Sequence, residues 1–147
     1  MVTLGTNVTF FGNCRQAIDF YRKIFEDSKI EIITFGEVKN LLGGETIVGD
    51  KTDYIYSARF ELCIQDQTFY LFLCDSPSVL FSSQISANKD NITIMMEFED
   101  EKDVIKYYDL LMENGKSNIS PRKNMIGIME GSLIDQFGVC WIIRTCR

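Results

Sequence analysis

A strand followed by a helix occurs twice in this chain, about 85 residues apart, and that repetition constrains the fold more than any other feature. Val8-Thr9-Phe10-Phe11 is β-branched and aromatic, as strands are. Gly12-Asn13-Cys14 breaks it. Asn13 with Gln16 three residues later has capping-box spacing. Ala17, Ile18, Tyr21, Ile24 and Phe25 then recur at helical intervals, with Arg15, Asp19, Arg22 and Lys23 on the other face. The echo opens with Asn91-Ile92-Thr93-Ile94, which repeats Asn7-Val8-Thr9-Phe10, and residues 104–112 repeat the helix of residues 17–25. In the second helix Val104, Ile105, Tyr108, Leu111 and Met112 form the expected buried stripe. Asp100 is its expected N-cap, and Asn114-Gly115 its stop. A period this long excludes a solenoid and indicates a duplicated module.

The stretch after each helix reads as strand. Behind the first helix come 30–37, a Gly-rich loop at 41–45, Ile55–Ile64, an Asp66-Gln67 turn and Thr68–Cys74. Behind the second come Met125–Met129 and Val139–Thr145, with a turn at Asp135-Gln136-Phe137-Gly138. Each half is a βαβββ unit, at approximately 5–78 and 90–146 of a single 147-residue domain. Lone helices among many strands give an α+β class and exclude a doubly wound sheet. A generic α+β domain is the plainer alternative.

Composition removes whole chemistries. The chain contains no histidine, so Ser-His and Cys-His pairs, HExxH zinc sites and two-histidine iron sites are all excluded. Fifteen Lys and Arg against 21 Asp and Glu leave a net charge of −6, which argues against a nucleic-acid partner. Five cysteines without a CxxC pair do not suggest a disulfide framework. Cys63, Cys74 and Cys140 sit in apolar runs, where a thiol packs as a small hydrophobe. The longest wholly apolar run, Phe69–Cys74, is far shorter than the ~20 residues of a spanning helix. With no signal-peptide pattern at 1–8, the expectation is a cytoplasmic protein without a membrane partner.

Several motifs in order carry a family resemblance. Phe10-Phe11-Gly12-Asn13-Cys14-Arg15-Gln16-Ala17-Ile18 with Phe20-Tyr21 and Phe25 opens it. Phe35-Gly36-Glu37, Tyr56-Ser57-Ala58, Cys74-Asp75-Ser76-Pro77 and Asp135-Gln136-Phe137-Gly138-Val139-Cys140-Trp141 continue it. With these the chain resembles the vicinal oxygen chelate superfamily (glyoxalase I, extradiol dioxygenases, bleomycin-resistance proteins). More narrowly it resembles the PhnB-like branch, sometimes labelled a 3-demethylubiquinone methyltransferase domain. The resemblance implies two βαβββ modules whose curled mixed sheets surround a cavity, in a homodimer. In metal-dependent relatives His and Glu line that cavity. Here the corresponding positions are Ser57 and Ile142, so no metal of that kind and no cofactor is expected. A hard cation held by Glu61, Glu97 or Glu130 is the oxygen-ligand alternative. No Gly-x-Gly-x-Gly turn is present to cradle a methyl-donor nucleotide.

Alternation along 56–64 places Ser57, Arg59, Glu61 and Cys63 on one face and Tyr56, Ala58, Phe60, Leu62 and Ile64 on the other. The polar set is expected to face the cavity, where Arg59 and Glu61 either orient a ligand or neutralise each other. A solvated face is the plain reading for all four. Trp141, the only tryptophan, is a packing residue by default and an aromatic cavity wall otherwise. Phe11, Phe35 and Tyr70 pose the same choice, and Asp75 suits a turn. Three functions are compatible with these residues. The first is a metal-free protein binding a small molecule, with a cationic ligand suited to the net charge. The second is a lyase or isomerase-like enzyme using Glu61 or Glu37 as base. The third is a structural or interaction role.

Overall fold

The computed structural model describes residues 3, 5–39, 51–80, 92–124 and 126–146. The chain divides into two compact units, Met1–Ser86 and Ala87–Arg147. The first contains β1 (Thr6–Phe10), α1 (Cys14–Ile24), β2 (Lys29–Thr34), the single-turn α2 (Phe35–Val38), β3 (Ile55–Ile64) and β4 (Gln67–Asp75). The second contains β5 (Ile94–Phe98), α3 (Glu101–Leu111), β6 (Lys116–Lys123), β7 (Met129–Ile134) and β8 (Cys140–Thr145).

Each unit is one open four-stranded mixed sheet, ordered β1-β4-β3-β2 in the first and β5-β8-β7-β6 in the second. The last three strands of each sheet pair antiparallel. The opening strand lies parallel beside the last. A parallel pair needs a crossover connection, and the helix after each opening strand is part of it. The fold is α+β with a duplicated βαβββ order, as the sequence predicts.

The repeat is real, but its strand register differs from the sequence reading. Thr6–Phe10 corresponds to Ile94–Phe98, which begins three residues beyond the start of the Asn91 echo. Both strands bury their final phenylalanine just before the helix, and each pairs parallel with its sheet's last strand. Asn91 itself lies outside the described residues, as do Met125 and the Gly-rich loop at 41–45.

In α1 and its C-cap all five stripe residues are buried: Ala17, Ile18, Tyr21, Ile24 and Phe25. Each large one contributes about 1.5–3 kcal/mol through apolar burial. In α3 only Val104, Tyr108 and Leu111 are fully buried, while Ile105 is 44% exposed. The predicted strand at 30–37 stops at Thr34, because Thr34 and Glu37 close a capping box that starts α2. The turn between β3 and β4 is Gln65-Asp66, both at positive φ (49° and 62°), the geometry of a two-residue hairpin loop. Strand β6 escapes the sequence reading altogether. It is exposed at every position except Pro121, so it offers no hydrophobic period. Strand β7 also lies later than the predicted 125–129. Before it, the Asn124 side chain accepts from the Ile126 and Ile128 amides and holds a loop.

Candidate functional site

Each sheet has one face toward its unit's core. In the first unit that face carries Phe10, Leu71, Leu73, Ala58, Phe60 and Leu62, all buried. Alternation sends the intervening residues to the opposite face, and the pairing aligns them. Asn7 stands beside Phe72, Thr9 beside Cys74, Arg59 between Phe72 and Glu31, and Glu61 between Tyr70 and Lys29. Ser57 and Cys63 share this face, so the predicted polar set on β3 comes together. Tyr56 does not join the buried set. The register shifts between Ile33 and Thr34, where Ser57 and Ile55 are the successive partners, leaving Tyr56 as the extra residue of a bulge. Ile55 is therefore the buried one, and Tyr56 is 43% exposed.

Arg59 and Glu61 do not neutralise each other: among the described residues no ion pair joins them. The Arg59 guanidinium instead lies over the Tyr70 ring, its Cζ 4.9 Å from the centroid. Tyr70 is diagonal to Arg59 on β4, so the side chain leans away from Glu31 on β2. Arg59 Nε is buried and, among the described residues, has no hydrogen-bond partner. Lys29, Glu31 and Phe72 belong to this face as well. Sequence reasoning missed them, since only the cross-strand register places them beside Arg59.

The matching face of the second sheet is built differently. Thr9, Cys74 and Ser57 of the first unit correspond by pairing to Glu97, Arg144 and Glu130 of the second. There Arg144 Nε donates to Glu97 at 3.1 Å, and its Nη1 lies 3.8 Å from Glu130. Two of the three carboxylates considered for a hard cation, Glu97 and Glu130, thus already share a guanidinium. Ile142 occupies this face between Met95 and Ser132. Neither Ser57 nor Ile142 can act as an imidazole ligand. Among the described residues no three His, Cys, Asp or Glu side chains converge to hold a metal ion. The donor set does not fit the metal centre that the fold family implies.

Trp141 is on the core side. It is 1% exposed and shares its face with Ile143 and Leu133, under α3. Its indole Nε1–H donates to Asp135 Oδ2 at 3.0 Å, which fixes the ring as packing rather than as a wall for a ligand. Asp135 Oδ1 also accepts from the Phe137 and Val139 amides at 2.9 and 3.0 Å. Asp75 has the parallel task in the first unit. Its Oδ1 accepts from Gly12 N (2.8 Å) and Cys14 N (3.1 Å), and its Oδ2 from Ile55 N (2.9 Å). Asn13, the predicted capping side chain, makes no cap hydrogen bond, so Asp75 serves the start of α1 from a distant strand.

Of the remaining candidates, Phe35 and Glu37 have structural roles. Phe35 is buried in the core, whereas Phe11 is 38% exposed. Burial, and then the nearby Asp75 carboxylate, push the Cys14 thiol far above its ordinary pKa and leave it inert as a nucleophile. Glu37 accepts from the Thr34 amide and hydroxyl, and these bonds hold its carboxyl below the ordinary value. Lower basicity works against a general-base role. Glu61 forms no ion pair among the described residues. Among the described residues no helix is long and apolar enough to cross a membrane.

A family model described as 3-demethylubiquinone-9 3-methyltransferase matches residues 3–144. A solved protein from Pseudomonas aeruginosa is 20% identical, with a TM-score of 0.73 over 99% of this chain and 98% of that one. A putative 3-demethylubiquinone-9 3-methyltransferase, PhnB protein, from Bacillus cereus is also 20% identical, with a TM-score of 0.72 over 99% and 100%. A glyoxalase/bleomycin resistance protein/dioxygenase family enzyme from Burkholderia phytofirmans is 10% identical, with a TM-score of 0.58 over 98% of both chains. At these identities the solved structures share the fold. No curated protein matches the chain.

Proposed function

The chain belongs to the family described as 3-demethylubiquinone-9 3-methyltransferase, the PhnB-like branch of the vicinal oxygen chelate superfamily, and on that basis we propose that it binds a small organic molecule without a histidine-based metal centre. The observation that carries this reading is the contrast between the two sheet faces. In the second unit the charges are consumed by Arg144, Glu97 and Glu130. In the first unit Arg59 and Glu61 stand beside Phe72 and Tyr70, with Ser57 on the same face, and none of the three forms an ion pair among the described residues. A few convergent polar groups beside aromatic rings are what small-molecule sites use. The methyl transfer in the family's description is not extended to this chain, whose sequence has no Gly-x-Gly-x-Gly cradle.

Native mass spectrometry of the untagged protein tests the reading, because a polyhistidine tag would supply the ligands the chain lacks. The expected species is a homodimer free of metal and carrying an organic adduct. A stoichiometric metal that chelators remove would overturn it. A second reading, a lyase or isomerase-like enzyme, is favoured only by Glu61, a carboxylate on the same face with no ion pair among the described residues. Turnover abolished by Glu61→Gln in a correctly folded protein would establish it.

A further inference from the structure

Among the described residues Arg59 Nε is a buried donor left unpaired, and it defines the kind of molecule this face takes. A guanidinium carries five N–H donors in a fixed plane, and an unpaired buried donor costs about 1–3 kcal/mol. The local carboxylates leave that donor unused. Glu31, directly opposite on β2, and Glu61, two residues along β3, form no ion pair with Arg59 among the described residues. The guanidinium Cζ lies 4.9 Å from the centroid of the Tyr70 ring. The Nε–Nη edge of a guanidinium carries paired parallel donors that match the two oxygens of a carboxylate. Phe72 is the direct cross-strand neighbour of Arg59 on the same face.

We propose that the polar face of the first sheet binds a planar aromatic carboxylate, its two oxygens accepting from Nε and Nη of Arg59 and its ring lying against Phe72. The inference rests on the reading of this face as the ligand site and adds the ligand's charge. It departs from the expectation drawn from net charge, which favours a cation. At physiological ionic strength the field of the whole chain is screened within about 8 Å, so the nearest charge on the ligand's path decides. A rotation of the unbranched Arg59 stem along Tyr70 turns the Nε edge toward the incoming carboxylate. Lys29, opposite Glu61 on the same face, offsets the nearer acidic side chains.

The test titrates benzoate, benzamide and benzamidine into the untagged, nitrogen-15-labelled full chain, three probes of one shape and different charge. Benzoate is expected to move the Arg59 Nε–Hε signal downfield and to shift the amides of Ser57, Arg59 and Phe72. It is expected to bind about tenfold more tightly than benzamide. Arg59→Met, which keeps a stem over Tyr70, should erase that preference with the rest of the amide spectrum unchanged. Arg59→Lys retains the charge without the paired donors and should also lose it, which covers a failure of the Met variant to fold. Benzamide or benzamidine binding the same residues as tightly as benzoate overturns the carboxylate assignment and leaves the face as the site. Benzoate affinity unchanged in both variants overturns the role of Arg59. No shift on this face with any probe overturns the assignment and the site together.

Discussion

Asp75 is the side chain whose loss should cost the first unit most for its size. It is 2% exposed and accepts three backbone N–H groups, from Gly12, Cys14 and Ile55. The Cys14 and Ile55 contacts are buried and the Gly12 contact is partly buried. In Asp75→Ala the two buried amides lose their acceptor at about 1–3 kcal/mol each, and α1 loses its cap. Removing a buried charge returns some desolvation energy, so the net loss should be about 3–4 kcal/mol. Asp75→Asn keeps an oxygen for Gly12 and Cys14 but turns an NH₂ toward the Ile55 amide, donor against donor. Its cost should be about 2 kcal/mol. Trp141 fluorescence reports the second unit, so the assay is amide hydrogen exchange read at Phe60, Leu73 and Ile18. Asp75→Ala should speed exchange there by about a hundredfold or more, since each 1.4 kcal/mol is tenfold. A loss under about 1 kcal/mol in the alanine variant would refute the reasoning. So would an asparagine variant as unstable as the alanine one.

Gly115→Ala should destabilise the second unit by about 1–3 kcal/mol, because its Cβ would stand 2.7 Å from the Ile134 carbonyl oxygen. Urea unfolding followed by Trp141 fluorescence reads this directly, and an unchanged midpoint would show that the turn after α3 can yield. Glu37 has a folded-state pKa below its ordinary 4.5, so its contribution to stability is complete above that value and is lost as the pH falls through the lower one. Thr34→Val removes the hydroxyl donor and should move the Glu37 titration, followed by carbon-13 NMR, back toward 4.5. A wild-type Glu37 titrating at or above 4.5 contradicts the capping account.

The α+β class, the repeated strand-helix order and the chemistry ruled out by the lack of histidine are all legible in the residues alone. Those features are local. Helical and alternating periodicities are properties of neighbouring residues, and a missing residue type is missing from every conformation. The β3 alternation of Ser57, Arg59, Glu61 and Cys63 is legible for the same reason. Strand β6 is not, because an exposed edge strand carries no apolar period to read. The Asn114-Gly115 stop is legible as a signal but not in its division of labour. Asn114 adopts the positive φ (55°), while Gly115 is needed for the close approach of the Ile134 carbonyl.

Which residues from different strands meet is settled by the folded sheets. They give Asp75 the cap that Asn13 is spaced to provide, move Tyr56 out of the buried set through a bulge, and put Trp141 in the core with Asp135 as its partner. They also separate the two faces that the duplication makes look equivalent. Arg144 joins Glu97 to Glu130 across three strands, whereas Arg59 turns to Tyr70 and leaves a donor unpaired. Register is the cause. A side chain's partners on neighbouring strands are set by the pairing of whole strands, and that pairing is written in no local stretch of the chain.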